Sequence, residues 1–413
     1  MKKNWRVLPF ILLFSSMLIF GLTENYKGVT YPLIKADFSA SYEQHGLMMF
    51  SLSFSYVIFC TLGGIVLSRF GVKSAFILGS IFLSTGLLSV YLMPNYITTI
   101  AAFVLIFGGF GLIQVGAIAL ASRVFVTKTG MLMNIVQAFY GIGAFIGPIT
   151  AGLFLTNNTG FNWRFLYLFS VPLSLCLLIP VIFLKIPEYK HVNNDTEDLK
   201  PSDSTQPLID QPASVNKKPG FLDALRTPSV WLLSIILGLI LIIEMSSANW
   251  GTLYFQDNYG MDPRTSGAAF ISAFFILFTV SRIVCSGFIE MIGYFKFLIG
   301  LSVLIFIFLA ISFSIGAKGI YILPVIGFFI GPLWPTIMAI CIVHFGKNTP
   351  VMTSAVIAIG STINAVMQFQ IGLINRLIGP AWGYRSVLIY ALVFFIFLII
   401  SRKKITIKTG TNK

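Results

Sequence analysis

Residues 185–228 read KIPEYKHVNNDTEDLKPSDSTQPLIDQPASVNKKPGFLDALRTP and divide the chain into two apolar halves. This stretch of 44 residues contains six Lys or Arg, seven Asp or Glu and six Pro. Such a composition buries too little apolar surface to offset the entropy lost on ordering, which predicts a solvated linker. The flanking parts, 1–184 and 229–413, are almost wholly apolar and nearly equal in length. Two such halves around one polar linker predict a duplicated membrane protein.

The composition supports the same class of protein. The 413 residues are 56% hydrophobic and 10% charged, with a mean hydropathy of +0.88, whereas an ordinary soluble domain is about 25% charged. The formal charge of +14 would suggest a nucleic-acid ligand in a soluble protein. In a membrane protein the position of each Lys and Arg is what matters, so we expect a lipid bilayer as partner and no nucleic acid.

Twelve apolar segments, six in each half, are long enough to be membrane helices, which need about 20 residues. The strands of a membrane β-barrel would alternate with a period of two, whereas these runs are continuously apolar. The run after Met1–Arg6 has no cleavage pattern, so we expect a retained helix rather than a signal peptide. The predicted segments are 7–35, 43–68, 73–93, 98–123, 129–155, 163–184, 229–256, 264–290, 296–315, 319–345, 349–375 and 382–401.

The distribution of Lys and Arg predicts the orientation of these segments. If both termini and the linker share one side of the membrane, 20 of the 28 basic residues lie on that side and six on the other. Positive charge is retained on the cytoplasmic side, which predicts cytoplasmic termini. We therefore expect a multi-pass integral membrane protein. Short loops suit the inner membrane of a bacterium, and we expect a monomer.

The sequence Gly64-x-x-x-Ser68-Arg69-x-Gly71-x-Lys73 resembles the cytoplasmic loop signature of the major facilitator superfamily. Within that superfamily the chain is similar to the fucose/galactose/glucose proton symporters. The resemblance implies an all-α membrane protein with twelve transmembrane helices in two pseudo-symmetric six-helix bundles. It also implies alternating access, with symport of a proton and a small polar solute such as a monosaccharide. The motifs similar to that family are Gln137-Ala-Phe139-x-x-x-Gly143-x-x-x-Gly147-Pro148, Glu244-x-Ser246 with Tyr254, Ser281-Arg282, and Trp334-Pro335-Thr336-Ile337.

Glu24 and Glu244 are the carboxylates deep within the predicted segments. Burying an ionised carboxylate is costly, so such groups are paired, protonated or functional, and both are candidates for proton coupling. Lys27 follows Glu24 by three residues and shares its helix face. Three interpretations of Lys27 remain open: it neutralises Glu24, it tunes the proton affinity of Glu24, or it binds an anionic group of the substrate.

The chain departs from the pattern of the family that it resembles at three positions. Ser68 replaces the usual Asp of the loop signature, which weakens the charge lock that the loop forms in relatives. Gly28 stands where the family has an Asp after an Asn-rich stretch, and Gln114 stands where relatives often carry an acid. Glu244 therefore becomes the leading candidate for proton coupling, with Glu24 second.

A sugar site needs amide and hydroxyl groups for the substrate hydroxyls and an aromatic face for the ring. Each such residue could also serve in hydrogen bonding between helices. The predicted substrate-binding residues are Lys27, Asn25, Gln114, Gln137, Tyr140, Asn249, Trp250, Trp334, Asn364 and Gln368. Arg69, Lys73, Arg282 and Glu290 are predicted gating residues near the cytoplasmic ends of their helices. For Arg282, a gating pair or a lipid headgroup is the expected contact.

No GxxxxGK[ST] phosphate-binding loop occurs in the sequence, so an ion or substrate gradient is the expected energy source. We expect no enzyme activity, catalytic residue, metal or cofactor. Three alternatives remain. An organic-anion carrier would use Lys27, and a proton-coupled efflux antiporter would have a wider and more apolar cavity. The third alternative is a sensor or scaffold that does not transport.

Overall fold

The computed structural model describes residues 8–124, 129–157, 162–183, 221–345 and 349–405. Within these ranges the chain forms helices and no strands, and twelve helices are long and apolar enough to cross a membrane. Most of the predicted linker lies outside the described residues. The proposed division into 1–184, 185–228 and 229–413 therefore stays a prediction.

We number the spanning helices α1 to α12 in chain order. Several consist of two pieces, and short helices at Phe221–Leu225, Gly316–Lys318 and Gly319–Ile322 are not numbered. The bounds are α1 Leu8–Asn25 and Lys27–Asp37, α2 and α3 together Tyr42–Leu92, α4 Tyr96–Val124, α5 Thr129–Asn157, α6 Trp163–Cys176 and Leu178–Phe183, α7 Pro228–Tyr259, α8 a π-turn Pro263–Gly267 and Ala268–Ile292, α9 Tyr294–Ser314, α10 Val325–Ile330 and Leu333–Phe345, α11 Thr349–Ile378, and α12 Pro380–Arg385 and Val387–Lys404.

Local sequence signals set several helix ends. Ser41 caps α2: its side chain accepts from the Gln44 N–H, and the Gln44 side chain accepts from the Ser41 N–H in return. Gly71, with φ of 81°, separates α2 from α3 in a conformation that residues with a Cβ rarely adopt. Gly260 ends α7 in the left-handed region, and the side chain of Asp262 then accepts from the Arg264 N–H at the start of α8.

The predicted segments agree with the observed spans to within a few residues at most ends. One clear difference is in α10, predicted over 319–345 and observed as the span Val325–Phe345. Gly319–Ile322 instead forms a separate short helix, and Pro324 precedes the α10 helix. Pro has no N–H for a continuous helix, which accounts for this division.

The helices form two bundles, α1–α6 and α7–α12. The bundles meet where α2 packs against α11, α5 against α8, and α1 against α7. On the outer surface, large apolar side chains such as Leu62, Ile65 and Ile389 are exposed. Apolar exposure along twelve spanning helices is what a lipid environment requires. The chain is therefore a multi-pass integral membrane protein.

Candidate functional site

A cavity of about 230 Å³ lies between the two bundles. Eight of the twelve spanning helices, four from each half, contribute aromatic residues, amides, hydroxyls and four charged groups to its wall. These helices are α1, α2, α4, α5, α7, α8, α10 and α11. The residues that line it are Phe20, Glu24, Lys27, Tyr31, Met49, Leu52, Ser53, Tyr56, Phe107, Gln114, Gln137, Tyr140, Leu241, Glu244, Met245, Asn249, Arg282, Trp334, Ile357, Ser361 and Asn364.

The two carboxylates lie on the first helix of each bundle. Glu24 lies sixteen residues after Leu8 at the start of α1, and Glu244 lies sixteen residues after Pro228 at the start of α7. At 1.5 Å per residue, each is about 24 Å along its helix. Both therefore lie near the middle of their spans, where the two bundles face each other.

Glu24 is held by two neighbours. Lys27 Nζ lies 2.8 Å from Glu24 Oε1, and the Tyr140 hydroxyl donates to Glu24 Oε2 at 2.6 Å. Lys27 also lies 5.7 Å from the ring centre of Phe107. The pair is buried, and both carboxylate oxygens have partners, so the charges of Glu24 and Lys27 compensate each other within the N-terminal bundle.

Glu244 is buried at 6% exposure, yet no described residue forms a hydrogen bond or ion pair with it. Arg282, Glu24 and Lys27 are the other charged groups that line the same cavity. Arg282 does not pair with Glu244; its Nε donates to the Gly331 carbonyl at 3.1 Å. Glu244 is thus a buried carboxylate that faces the cavity without a partner from the described residues.

Five predicted substrate residues besides Lys27 and Tyr140 also reach the cavity wall. Gln114 and Gln137 come from the N-terminal bundle, and Asn249, Trp334 and Asn364 come from the C-terminal bundle. Asn249 Oδ1 is buried and has no hydrogen-bond partner in the described structure. The cavity therefore offers amide groups on both sides and an indole ring for a small polar molecule.

The structure places the three remaining predicted substrate residues away from the cavity wall. Asn25 Nδ2 donates to the Gly21 carbonyl at 2.8 Å, and this side chain is buried. Trp250 Nε1 donates to Gln368 Oε1 at 2.8 Å, and both side chains are fully buried. Asn25 and Trp250 each follow a lining residue by one position, and one step turns a helical side chain by about 100° onto another face.

The predicted gating residues lie in different environments. Arg69 is exposed, and Lys73 Nζ donates to the Ile182 carbonyl of α6 in its own bundle. The side chain of Glu290 lies outside the described residues. Arg282 lines the central cavity with its guanidinium 4.3 Å from the ring centre of Phe278, and its gating role stays a prediction.

Sequence reasoning missed several lining residues, including Tyr31, Ser53, Tyr56 and Ser361. Tyr31 was recognisable, because it follows Glu24 by seven residues and so shares its helix face. The other three lie on helices whose apolar residues surround the whole axis. Their sequence carries no signal of which face meets the opposite bundle.

The bundles are in contact at one end of the cavity, which we term the closed end. There Tyr42 bonds to Asp257, Glu43 pairs with Arg376, and Gly46 packs against Gly372. Further along both helices, residues of α2 and α11 line the cavity. Gln137 and Ile357, which also line it, each lie eight residues after the first residue of α5 and of α11.

Comparison with known sequences gives the family. The profile of the Major Facilitator Superfamily matches residues 13–367. A Helicobacter pylori protein named "Putative glucose/galactose transporter" is 23% identical over 373 residues, which is 84% of each chain. The Saccharomyces cerevisiae "Bypass of stop codon protein 6" is 23% identical over 277 residues; the match covers 60% of this chain and 53% of the yeast protein.

Solved structures show the same fold. The E. coli fucose:proton symporter superimposes with a TM-score of 0.65 at 17% identity, covering 96% of this chain and 99% of that chain. A bacterial homologue of the human lysosomal transporter Spinster, inward-facing and unoccupied, superimposes with a TM-score of 0.66 at 13% identity, covering 98% and 100%. The predicted fold of twelve helices in two bundles is confirmed, and the chain belongs to the Major Facilitator Superfamily as a membrane transporter.

Proposed function

We propose that this transporter moves a monosaccharide together with a proton by alternating access. The observation that carries the proposal is Glu244, a buried carboxylate that faces a polar cavity between the bundles without a partner from the described residues. A carboxylate in such a place can bind and release a proton as its surroundings change. Protonation of Glu244 would remove a buried charge and so favour the movement of the loaded carrier.

The cavity supports a small polar substrate. Its volume of about 230 Å³ lies below the roughly 300–1,000 Å³ of sites for drug-sized ligands. Amides from both bundles surround it, and Trp334 supplies an aromatic face. The names of the Helicobacter pylori and E. coli relatives, which refer to glucose, galactose and fucose, point to the same class of substrate.

The alternatives have less support. An efflux antiporter for large apolar compounds would need a wider and more apolar cavity. An organic-anion carrier that uses Lys27 would need a free ammonium group, but Lys27 pairs with Glu24 at 2.8 Å. Glu24 is the second candidate for coupling, because both of its carboxylate oxygens already have partners in Lys27 and Tyr140.

The proposed setting is the inner membrane of a bacterium, with cytoplasmic termini and a monomeric protein. The support is the excess of Lys and Arg on one side. In this orientation the closed end faces outward and the cavity reaches towards the cytoplasm. Labelling of a single cysteine at Lys318, which is predicted outside, from each side of intact cells would test the orientation.

The test of function is uptake into proteoliposomes of labelled hexoses, deoxyhexoses and small organic acids, with and without an inward proton gradient. We expect a monosaccharide to accumulate only with the gradient. Glu244→Gln should abolish this accumulation but retain exchange of substrate across the membrane, which also serves as the control for folding. Gradient-driven accumulation that is unchanged in Glu244→Gln would contradict the role of Glu244.

A further inference from the structure

Arg282 is a cation in the cavity wall whose guanidinium contacts neighbouring residues through its Nε and one face. Its Nε donates to the Gly331 carbonyl at 3.1 Å, and its guanidinium lies 4.3 Å from the ring centre of Phe278. Gly331 lies in the break between the two pieces of α10. Neither Nη group forms a hydrogen bond or ion pair with a residue that the structure describes. The guanidinium is therefore fixed in orientation while two of its nitrogens remain free for a ligand.

Lys27, the other cation of the cavity, is already neutralised. Its Nζ lies 2.8 Å from Glu24 Oε1 and 5.7 Å from the ring centre of Phe107. Arg282 has no such partner in the described ranges, where its one hydrogen bond is to the Gly331 carbonyl. Arg282 is therefore the cation of the cavity wall that is available to bind an anionic group of a ligand.

The charges that line the cavity balance only when both acids are ionised. Glu24 and Glu244 carry two negative charges, and Lys27 and Arg282 carry two positive charges. When a proton binds to Glu244, the carboxylate becomes a neutral carboxylic acid and one positive charge remains at Arg282. Because a buried charge without a counter-ion is unfavourable, the protonated state favours the entry of one negative charge with the substrate.

We propose that the substrate is a monosaccharide that bears one carboxylate, such as a uronate or an aldonate, and that Arg282 binds this carboxylate. This inference rests on the proposed symport of a monosaccharide and a proton. A carboxylate matches the parallel N–H groups of a guanidinium. The amides of Gln137 and Asn364 remain for the hydroxyl groups. A sugar phosphate is less suitable, because its second negative charge would stay uncompensated.

Charge balance makes a further distinction. One sugar carboxylate and one proton together carry no net charge, so transport of this substrate should be electroneutral. The empty carrier would return with Glu244 ionised and the cavity neutral. A neutral sugar taken up with a proton would instead carry one positive charge across the membrane in each cycle.

The test compares D-glucuronate with D-glucose, which differ only at the terminal carbon, in proteoliposomes of the full-length protein. We expect glucuronate to accumulate with an inward proton gradient and glucose to compete at least tenfold more weakly. A membrane potential set by potassium and valinomycin should leave the initial rate of glucuronate uptake unchanged within twofold.

Substitutions at Arg282 distinguish binding from a structural role. Arg282→Gln should raise the half-saturating concentration of glucuronate at least tenfold and change that of glucose less than twofold. A residue needed only for folding would affect both substrates equally, which would overturn the assignment. Arg282→Lys, which keeps the charge but loses the paired N–H groups, should give an intermediate affinity and serves if Arg282→Gln does not fold.

The outcomes separate the two proposals. Gradient-driven accumulation of glucose without binding of glucuronate would overturn the carboxylate proposal and leave proton symport intact. Uptake of glucose 6-phosphate in preference to glucuronate would overturn the argument for a single negative charge. Accumulation of no monosaccharide at all, neutral or acidic, would show that the proposed function is wrong, and this inference would fail with it.

Discussion

Tyr42 of α2 donates a hydrogen bond of 2.7 Å from its hydroxyl to Asp257 Oδ2 of α7 and so joins the two bundles at the closed end. Next to it, Glu43 of α2 forms an ion pair with Arg376 of α11. Both contacts connect the N-terminal bundle to the C-terminal bundle through exposed side chains. They must therefore break before the cavity can open at this end.

We expect the combined variant Tyr42→Phe/Glu43→Gln to open the closed end more often. A hydrogen bond contributes about 0.5–1.5 kcal/mol and an exposed ion pair about 0–1 kcal/mol. Loss of about 1–2 kcal/mol changes a conformational equilibrium by a factor of roughly 5–30. The measurement is the rate at which a thiol reagent, added at this end, labels a cysteine placed at Met49, with the native cysteines replaced.

Tyr321→Phe is the matched control for this variant, because Tyr321 is 80% exposed and takes no part in the two contacts at the closed end. It should leave the labelling rate unchanged. Equal labelling rates of Met49→Cys with and without Tyr42→Phe/Glu43→Gln would mean that these two contacts do not limit opening of the closed end.

The glycines at the closed end permit a close approach of α2 and α11. A Cβ added at Gly372 would lie 2.5 Å from the Tyr42 carbonyl oxygen and 2.8 Å from Gly46 Cα. We expect Gly372→Val to prevent closure at this end, because the clash is with backbone atoms that cannot rotate away. Transport should fall at least tenfold, and labelling of Met49→Cys from the closed end should rise.

Gly300→Val provides the comparison, because a Cβ at Gly300 of α9 meets no atom within 4 Å. Transport by Gly300→Val should therefore stay within twofold of the native rate. Retention of native transport by Gly372→Val would indicate that the observed contact between α2 and α11 is not part of the cycle.

The ion pair of Glu24 and Lys27 predicts a large effect on stability. Removal of one member of a buried pair costs about 3–5 kcal/mol, because the other charge remains buried. We expect Lys27→Met to lower the free energy of unfolding by about this amount. The double variant Glu24→Gln/Lys27→Met should recover most of that loss of stability. Thermal unfolding in detergent measures both.

Lys318→Met is the control for the Lys27 substitution. Lys318 is exposed, so its replacement should change the free energy of unfolding by no more than about 0.5 kcal/mol. A double variant as unstable as Lys27→Met alone would contradict the pairing. It would indicate that Lys27 stabilises the fold through another contact, such as that with Phe107.

The sequence was sufficient for the helices but not for their rotation. Continuous apolar runs predict twelve spans because length alone determines whether a helix can cross a bilayer. The spacing of Glu24 and Lys27 predicts their pairing because residues three apart lie on the same face of a helical turn. Arg282 shows the limit: its position in α8 was predictable, but the face that it occupies depends on packing against α5 and α10. A helix that is apolar on all sides carries no signal for that orientation.

Gln368 and Trp250 provide the last prediction, which separates a structural role from substrate binding. Trp250 Nε1 donates to Gln368 Oε1 at 2.8 Å, and His45 of α2 packs edge-on against Trp250 with ring centres 4.9 Å apart. Gln368→Leu would leave the indole N–H buried without an acceptor, which costs about 1–3 kcal/mol.

We expect Trp250→Phe/Gln368→Leu to be more stable than Gln368→Leu, because it removes both polar partners. Unfolding of the single and double variants measures this coupling. If these residues instead bind the substrate, Gln368→Leu will raise the half-saturating concentration of substrate at least tenfold while the stability remains unchanged.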